Sequence, residues 1–400
     1  MNKKFKDRNN QKPKQHPKDV TEIELVLDNF KIIQSKPLRF LFNSALILTT
    51  VIVVFFIFNS WYTKAPVEAL YVSGGIVLIL YLLLANELFE KFPQTIKILW
   101  RRNLLCQFDE NSLKTGMPSQ EESVLKFLQD TRIYVDSKNG IFCGFAGLFI
   151  SAWLVWLLDQ NWILNAPSYI VSMPAPLIIT LFLRTAFIFS CFICGIVAWH
   201  IFSVGKTISA LGRIFRLDIK INHPDGCGGL SPIGDLCLKL VYCVAPFLIL
   251  IGAWLIFVNI LDISYLHMQS TNLNSLISTL QILLLPFTML SFLIFFFPII
   301  SIRNSMLHAK SLLDIQLDAI SQKIHSIEMD LLTQADSLPT DRRIILEEDI
   351  DFLKRSYGRF QPIPTWPFRF SHLFRLTTSQ IIPFIGVTTS LMSFIKDITK

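Results

Sequence analysis

The sequence predicts an all-α fold: a polytopic transmembrane helix bundle of six spans, with a cytoplasmic helical hairpin or coiled-coil region attached. Three observations predict it. Hydrophobic residues make up 52% of the 400 residues against 17% charged, with 34 Phe, a balance found in membrane proteins rather than soluble domains. Six stretches stay apolar over the roughly 20 residues that a helix needs to cross about 30 Å of hydrocarbon. Lys and Arg fall almost wholly in one alternate set of connecting segments, as expected where basic loops resist translocation.

Residues 1–18 are rich in Lys, Asn, Gln and Pro with almost no apolar content, so they predict a disordered basic tail. Over 21–33 the apolar positions Ile23, Val26, Leu27, Phe30 and Ile33 follow helical spacing. They give an amphipathic helix that either lies on lipid or packs on the cytoplasmic part. Because its polar face carries acids as well as Lys31, packing is the preferred reading. Domain 1–39 is therefore tail plus amphipathic helix.

The transmembrane domain covers 40–302, with spans at 40–61, 67–88, 140–164, 177–202, 240–263 and 277–302. Ten Lys and Arg precede the first span, eight lie in 89–139, five in 203–239 and twelve after 302, whereas the opposite loops hold only Lys64. Both termini and the loops 89–139 and 203–239 are thus expected in the cytoplasm. The net charge of +7 reads as topology and attraction to anionic lipid, not as a nucleic-acid signal. The lipid bilayer and a homo-oligomeric partner are expected, and a cytoplasmic ligand or protein partner is allowed.

Within the third span, Gly140, Gly144, Gly147 and Ser151 align small surfaces for close helix packing, and its Trp residues suit the interface. The cysteines lie outside outward loops and are expected as free thiols. Cys191 and Cys194 form a CxxC inside the fourth span, but no second pair or histidine stands at ligand spacing, which argues against zinc.

Loop 89–139 predicts a helix over 120–132, opened by a capping-box spacing from Ser119 to Glu122. After the sixth span, Leu313, Leu317, Ile320, Ile324, Ile327 and Leu331 alternate spacings of four and three, the seam of a coiled coil. Ser337-Leu338-Pro339-Thr340 interrupts it. Ile345, Leu346, Asp349, Phe352, Leu353 and Tyr357 then predict a second helix, so 303–358 reads as a hairpin. The seam is filled either by this second helix or by another subunit. Domain 359–400 reads as an interfacial or packed segment, with Trp366 and Phe368 near the headgroups. Its stretch 376–395 is free of charge and just long enough to span, yet contains Pro383, Gly386 and many Ser and Thr, so the interfacial or packed reading is preferred to a further span.

Two groups of residues are candidates for function. Arg184 is the one basic residue well inside a span. It either joins a pore or snorkels and pairs with Asp159 or Asp262. In the sixth span Ser278, Gln281, Thr288 and Ser291 share a face, Pro286 and Pro298 can open the helix, and Phe295 belongs to the Phe-rich run 292–298, suited to a hydrophobic constriction. The plainer reading of these residues is helix contact and lipid contact.

The second group is Asn222-His223-Pro224-Asp225-Gly226-Cys227-Gly228-Gly229-Leu230. Gly226, Gly228 and Gly229 demand a defined tight path, and His223 and Asp225 either hold the turn or offer a polar site. His223, Asp225, Cys227 and Cys237 are the one metal set worth weighing; no metal or cofactor is expected. The HPDGCGGL string resembles a loop of uncharacterised multi-pass inner-membrane proteins of bacteria, and the late Trp-Pro-Phe is similar to theirs. That resemblance implies a bacterial inner membrane and no particular activity.

No enzyme is expected. Gly205-Lys206-Thr207 lacks the first glycine and the strand of a phosphate-binding loop, and neither HExxH nor GxSxG occurs. The leading expectation is an oligomeric ion channel or pore gated from its cytoplasmic helices; the alternatives are a small-solute transporter and a non-conducting scaffold or sensor.

Overall fold

The computed structural model describes residues 26–27, 30, 36–63, 66–107, 120–163, 174–220, 223–260, 270–333, 339–359, 365–386 and 388. The predicted basic tail, Ser119 of the predicted capping box, and the side chains of Asp159, Asp262, Ser278 and Pro286 lie outside the described residues.

Long apolar runs become long helices, and the prolines inside three of them, Pro93, Pro246 and the pair Pro286 and Pro298, do not end them. They are α1 (Lys36–Thr63), α2 (Pro66–Arg101), α4 (Asn139–Ile163), α5 (Pro174–Ile214), α6 (Ser231–Ile260) and α7 (Ser270–Thr333). Among the described residues five helices are long and apolar enough to cross a membrane, and α1 holds a shorter apolar run, Phe42–Phe55. Between them, α3 (Gln120–Val135) lies where the sequence predicts the 120–132 helix. Helices α8 (Thr340–Arg359) and α9 (Phe370–Ser379) follow, and 381–386 are again helical.

A small ribbon departs from the all-α expectation. Leu105–Gln107 (β1) pairs antiparallel with Phe215–Leu217 (β2), Leu105 opposite Leu217. Three residues per strand carry too little alternation to register as a strand pattern. The ribbon ties the end of α2 to the end of α5, so this end of the bundle, here the loop end, is built as a cap.

Small residues set the closest helix contact. A Cβ on Gly147 would stand 2.7 Å from the Cys191 carbonyl oxygen, and one on Gly144 2.9 Å from Ile196 Cγ1. The expected small-residue face of α4 is thus pressed on α5, backbone to backbone. Helices α5 and α7 cross likewise: Ser209 and Ser301 hydroxyls lie 2.8 Å apart, and Ser305 donates to the Gly212 carbonyl at 2.5 Å. Of the predicted amphipathic helix over 21–33, Val26, Leu27 and Phe30 are described: Leu27 and Phe30 are buried, with Phe30 against Phe92 at 6.2 Å, and Val26 is exposed.

Helix α7 runs 64 residues without a break through Pro286 and Pro298, about 96 Å at 1.5 Å per residue. Its far half pairs with α8, and Lys354 of α8 reaches Glu328 of α7 at 2.8 Å. Leu313, Leu317, Ile320, Ile324, Ile327 and Leu331 are each half-buried while most of their neighbours are exposed. The predicted seam is therefore present and covered at least in part within the chain. On α8 the covering residues are Leu346, Ile350 and Leu353, with Ile350 buried, whereas Ile345 and Phe352 point outward. The predicted stripe is one residue out of phase, because two apolar ridges lie side by side on this helix and spacing alone does not say which faces the partner.

Candidate functional site

The residues singled out in the sequence fall into two groups. Along α7, Ser291 is fully buried and donates to the Thr288 carbonyl, while Thr288 donates to the Leu284 carbonyl. Phe295 is fully buried in the main core, edge-on to Phe296 at 5.1 Å. Gln281 is half-buried. Thr288 and Ser291 thus bond to the backbone of their own helix, and Ser291 and Phe295 are covered by the chain's own helices. Arg184 sits elsewhere, half-buried on α5 with its guanidinium carbon 5.9 Å from the Tyr71 ring centre.

The glycine-rich loop is assembled, with Asp225 at its centre. A chain that must reverse tightly before α6 needs left-handed residues, and Gly226, Gly228 and Gly229 take φ of 65°, 66° and 92°. This folds the backbone around the Asp225 carboxylate. Its Oδ1 accepts the N–H groups of Cys227 and Gly229, both at 2.9 Å, and lies 2.9 Å from His223 Nδ1. Its Oδ2 accepts the Ser231 N–H at 3.3 Å, at the first residue of α6, where a negative charge also meets the positive end of the helix dipole.

Two arginines from distant segments close on this loop. Arg102, just past α2, donates Nη1–H to the Gly229 carbonyl at 2.6 Å and approaches Oδ2 at 3.5 Å. Arg369, just before α9, donates Nε–H to the Asp225 carbonyl at 3.0 Å. Asn103 supplies the left-handed turn, φ 51°, that brings Leu104 under Gly229. Burial works to raise the Asp225 carboxyl, but the Gly229 and Cys227 N–H groups, His223 and the Ser231 N–H outweigh it and hold it below the ordinary carboxylate range. Cys227 beside it is buried, which together with the Asp225 charge pushes its thiol up to about 11 against the opposing effect of Arg369.

From the loop the contacts continue to α7. Gly234, in the first turn of α6, admits the Trp-Pro-Phe segment so closely that a Cβ there would meet the Pro367 carbonyl oxygen at 2.8 Å. Phe368 packs with tilted rings against Phe295 at 5.6 Å and Trp366 at 5.2 Å, and the Trp366 ring centre lies 4.4 Å from the Arg303 guanidinium carbon. Trp366 thus packs between Phe368 and Arg303. Alongside, His372 is buried, its Nδ1 accepts the Arg369 N–H at 2.9 Å, and its Nε2 lies 2.7 Å from Asp235 Oδ1. An Nδ1 that accepts assigns the proton to Nε2, which donates to the carboxylate.

The loop and its glycines are legible in the sequence; Arg102, Arg369, Asp235 and His372 are not. Arg369 has one local signal, its place soon after Trp-Pro-Phe; Arg102 has none. Among the described residues no group of three or more His, Cys, Asp or Glu is placed to hold a metal ion, and the described cysteine side chains are free thiols. Lys206 of the false phosphate-loop motif lies mid-helix over Tyr134 at 4.0 Å, and Thr207 donates to the Ser203 carbonyl.

Fold and site together define a multi-pass helical membrane protein with a hydrogen-bonded cap at one end. Comparison with protein families, with curated proteins and with solved structures found no match to this chain.

Proposed function

We propose that this chain is a membrane-embedded sensor or scaffold that carries no flux, set in a bacterial inner membrane with the loop end and the hairpin in the cytoplasm. The observation that carries the reading is the outward ridge of the hairpin. Ile345 and Phe352 are 58% and 63% exposed on a helix pair that continues, through unbroken α7, into the bundle core at Phe295. Exposed apolar side chains in a row on a helix mark a place for a partner. The network from Asp225 through Arg369 and Phe368 to Phe295 supplies a contiguous route by which an event at the hairpin reaches the cap. The one-sided Lys and Arg distribution supports the orientation.

Photo-crosslinking from position 352 of the full chain in cells tests this. The reading requires one foreign protein in the adducts and no conductance from purified protein in bilayers. Self-adducts alone, accompanied by conductance, would reject it.

A second reading, the oligomeric channel, is favoured by a different observation. Phe292 and Phe297 are exposed on α7, 37% and 47%, so rings from several copies would form a constriction that gates by dewetting. Here Phe297, not Phe295, is the residue whose replacement by Ser should raise conductance.

A further inference from the structure

The sequence places the chain after α8 at the interface or packed beneath the bundle. Its course along α6 says more. Gly234 of α6 touches Pro367 and Phe368, and Gly252 of α6 touches Ile382, Pro383 and Gly386, with a Gly386 Cβ position 2.8 Å from the Gly252 carbonyl oxygen. Eighteen residues of α6 are thus matched by about the same length of the late segment, and the two run parallel. Both start at the loop end. The span of contact is about 27 Å at 1.5 Å per residue.

Charges locate the membrane boundary along this path. The last charged residue of α6 is Lys239, paired with Glu87 of α2. Gly252 stands thirteen residues further on, so Gly386 lies about 20 Å beyond the level of that ion pair. The same register puts Arg375, the last charge of α9, about level with Tyr242, within a turn of Lys239. Beyond Arg375 the sequence has twenty residues without a charge, 376–395, before Lys396 and Asp397. Twenty helical residues cover about 30 Å, the thickness of the hydrocarbon.

The side chains agree. One face of the described part is buried: Leu376, Gln380, Pro383 and Gly386. The other carries Phe374, Ile381, Ile382, Phe384 and Ile385, all exposed. At this depth between Lys239 and the far end of α6, the surroundings are lipid tails, and an apolar face needs no further cover.

We infer that the late segment enters the membrane at about Leu376 and runs within it beside α6 as far as Gly386 and Thr388, packed through the Gly252–Gly386 contact and facing lipid acyl chains with Ile381, Ile382, Phe384 and Ile385. This stands apart from the sensor reading, which uses only the loop end and the hairpin.

The test uses the full chain in sealed vesicles of either orientation: Thr388→Cys should resist an impermeant maleimide from either face and react once detergent is added. Labelling of that cysteine in intact vesicles would overturn the inference.

Discussion

Arg369 donates its Nε–H to the main-chain carbonyl of Asp225, 144 residues away in sequence, at 3.0 Å. That bond joins the glycine-rich loop to the Trp-Pro-Phe segment, and through Phe368 to Phe295 on α7. A side chain pinned to a carbonyl rather than to a carboxylate fixes position more than charge. Its loss should therefore loosen the cap without unfolding the bundle.

Asp225→Asn should cost roughly 3 kcal/mol, since it trades a buried carboxylate with several N–H donors for a neutral amide that faces some of them with its own N–H. The direct readout is Cys227, buried under the loop in the wild type. Its alkylation in the variant should rise at least about tenfold, the factor expected for 1.4 kcal/mol of easier opening. Unchanged alkylation, measured by mass spectrometry, would refute the hub role.

The same group sets a pH dependence. Its folded value lies below the ordinary one, so the stability it contributes is present above the unfolded value of 3.8 and is lost as pH falls through the lower folded value. The thermal midpoint in detergent should stay level from neutral pH to about 5 as far as this group is concerned, and fall in stronger acid. Asp225→Asn should remove that part of the acid slope. A variant with the wild-type slope would place the acid sensitivity elsewhere.

Two glycines of the loop should differ in a predictable order. Gly226 has φ 65° and open space around a would-be Cβ, whereas Gly229 has φ 92° and Leu104 Cδ1 at 3.0 Å. Gly226→Ala carries only the left-handed penalty, about 1 kcal/mol. Gly229→Ala adds overpacking, for a total of roughly 2 to 4 kcal/mol. Equal losses in thermal midpoint would contradict this geometry.

On the hairpin, burial separates structure from recognition. Ile350→Asp puts a charge into the α7–α8 contact and should melt α8, seen as lost helicity. Phe352→Asp should leave helicity unchanged, because its ring is exposed, and abolish the partner adduct formed from a photo-crosslinker placed at position 345 of the same ridge. Lys354→Ala should leave the thermal midpoint unmoved, since an exposed ion pair contributes little. Loss of helicity in the Phe352 variant would mean that the outward ridge is structural.

Much of the fold is readable because membrane helices declare themselves by length and charge. The spans, the 120–132 helix and the Leu313–Leu331 seam need only local patterns, and the Gly140, Gly144 and Gly147 face needs only spacing. What is not readable depends on rotation and on distant contacts. Ser291 and Phe295 resemble a pore lining because a polar stripe has the same spacing whether it faces water or another helix. Arg102 and Arg369 act through side chains that no window of sequence joins. The three-residue ribbon is too short for any period to show. Pro383, Gly386, Ser and Thr lower the apolar score of the late segment, although glycine is what lets it lie against α6.

That the Asp225 cap holds α7 is tested most directly by amide hydrogen exchange of wild type and Arg369→Ala in detergent. If the cap holds α7, exchange in the variant is faster at Cys227 and Gly229, and also along α7 around Phe295 to Arg303, with the α4–α5 contact at Gly144 and Gly147 unchanged. Faster exchange confined to the loop, with α7 as slow as in wild type, would contradict it.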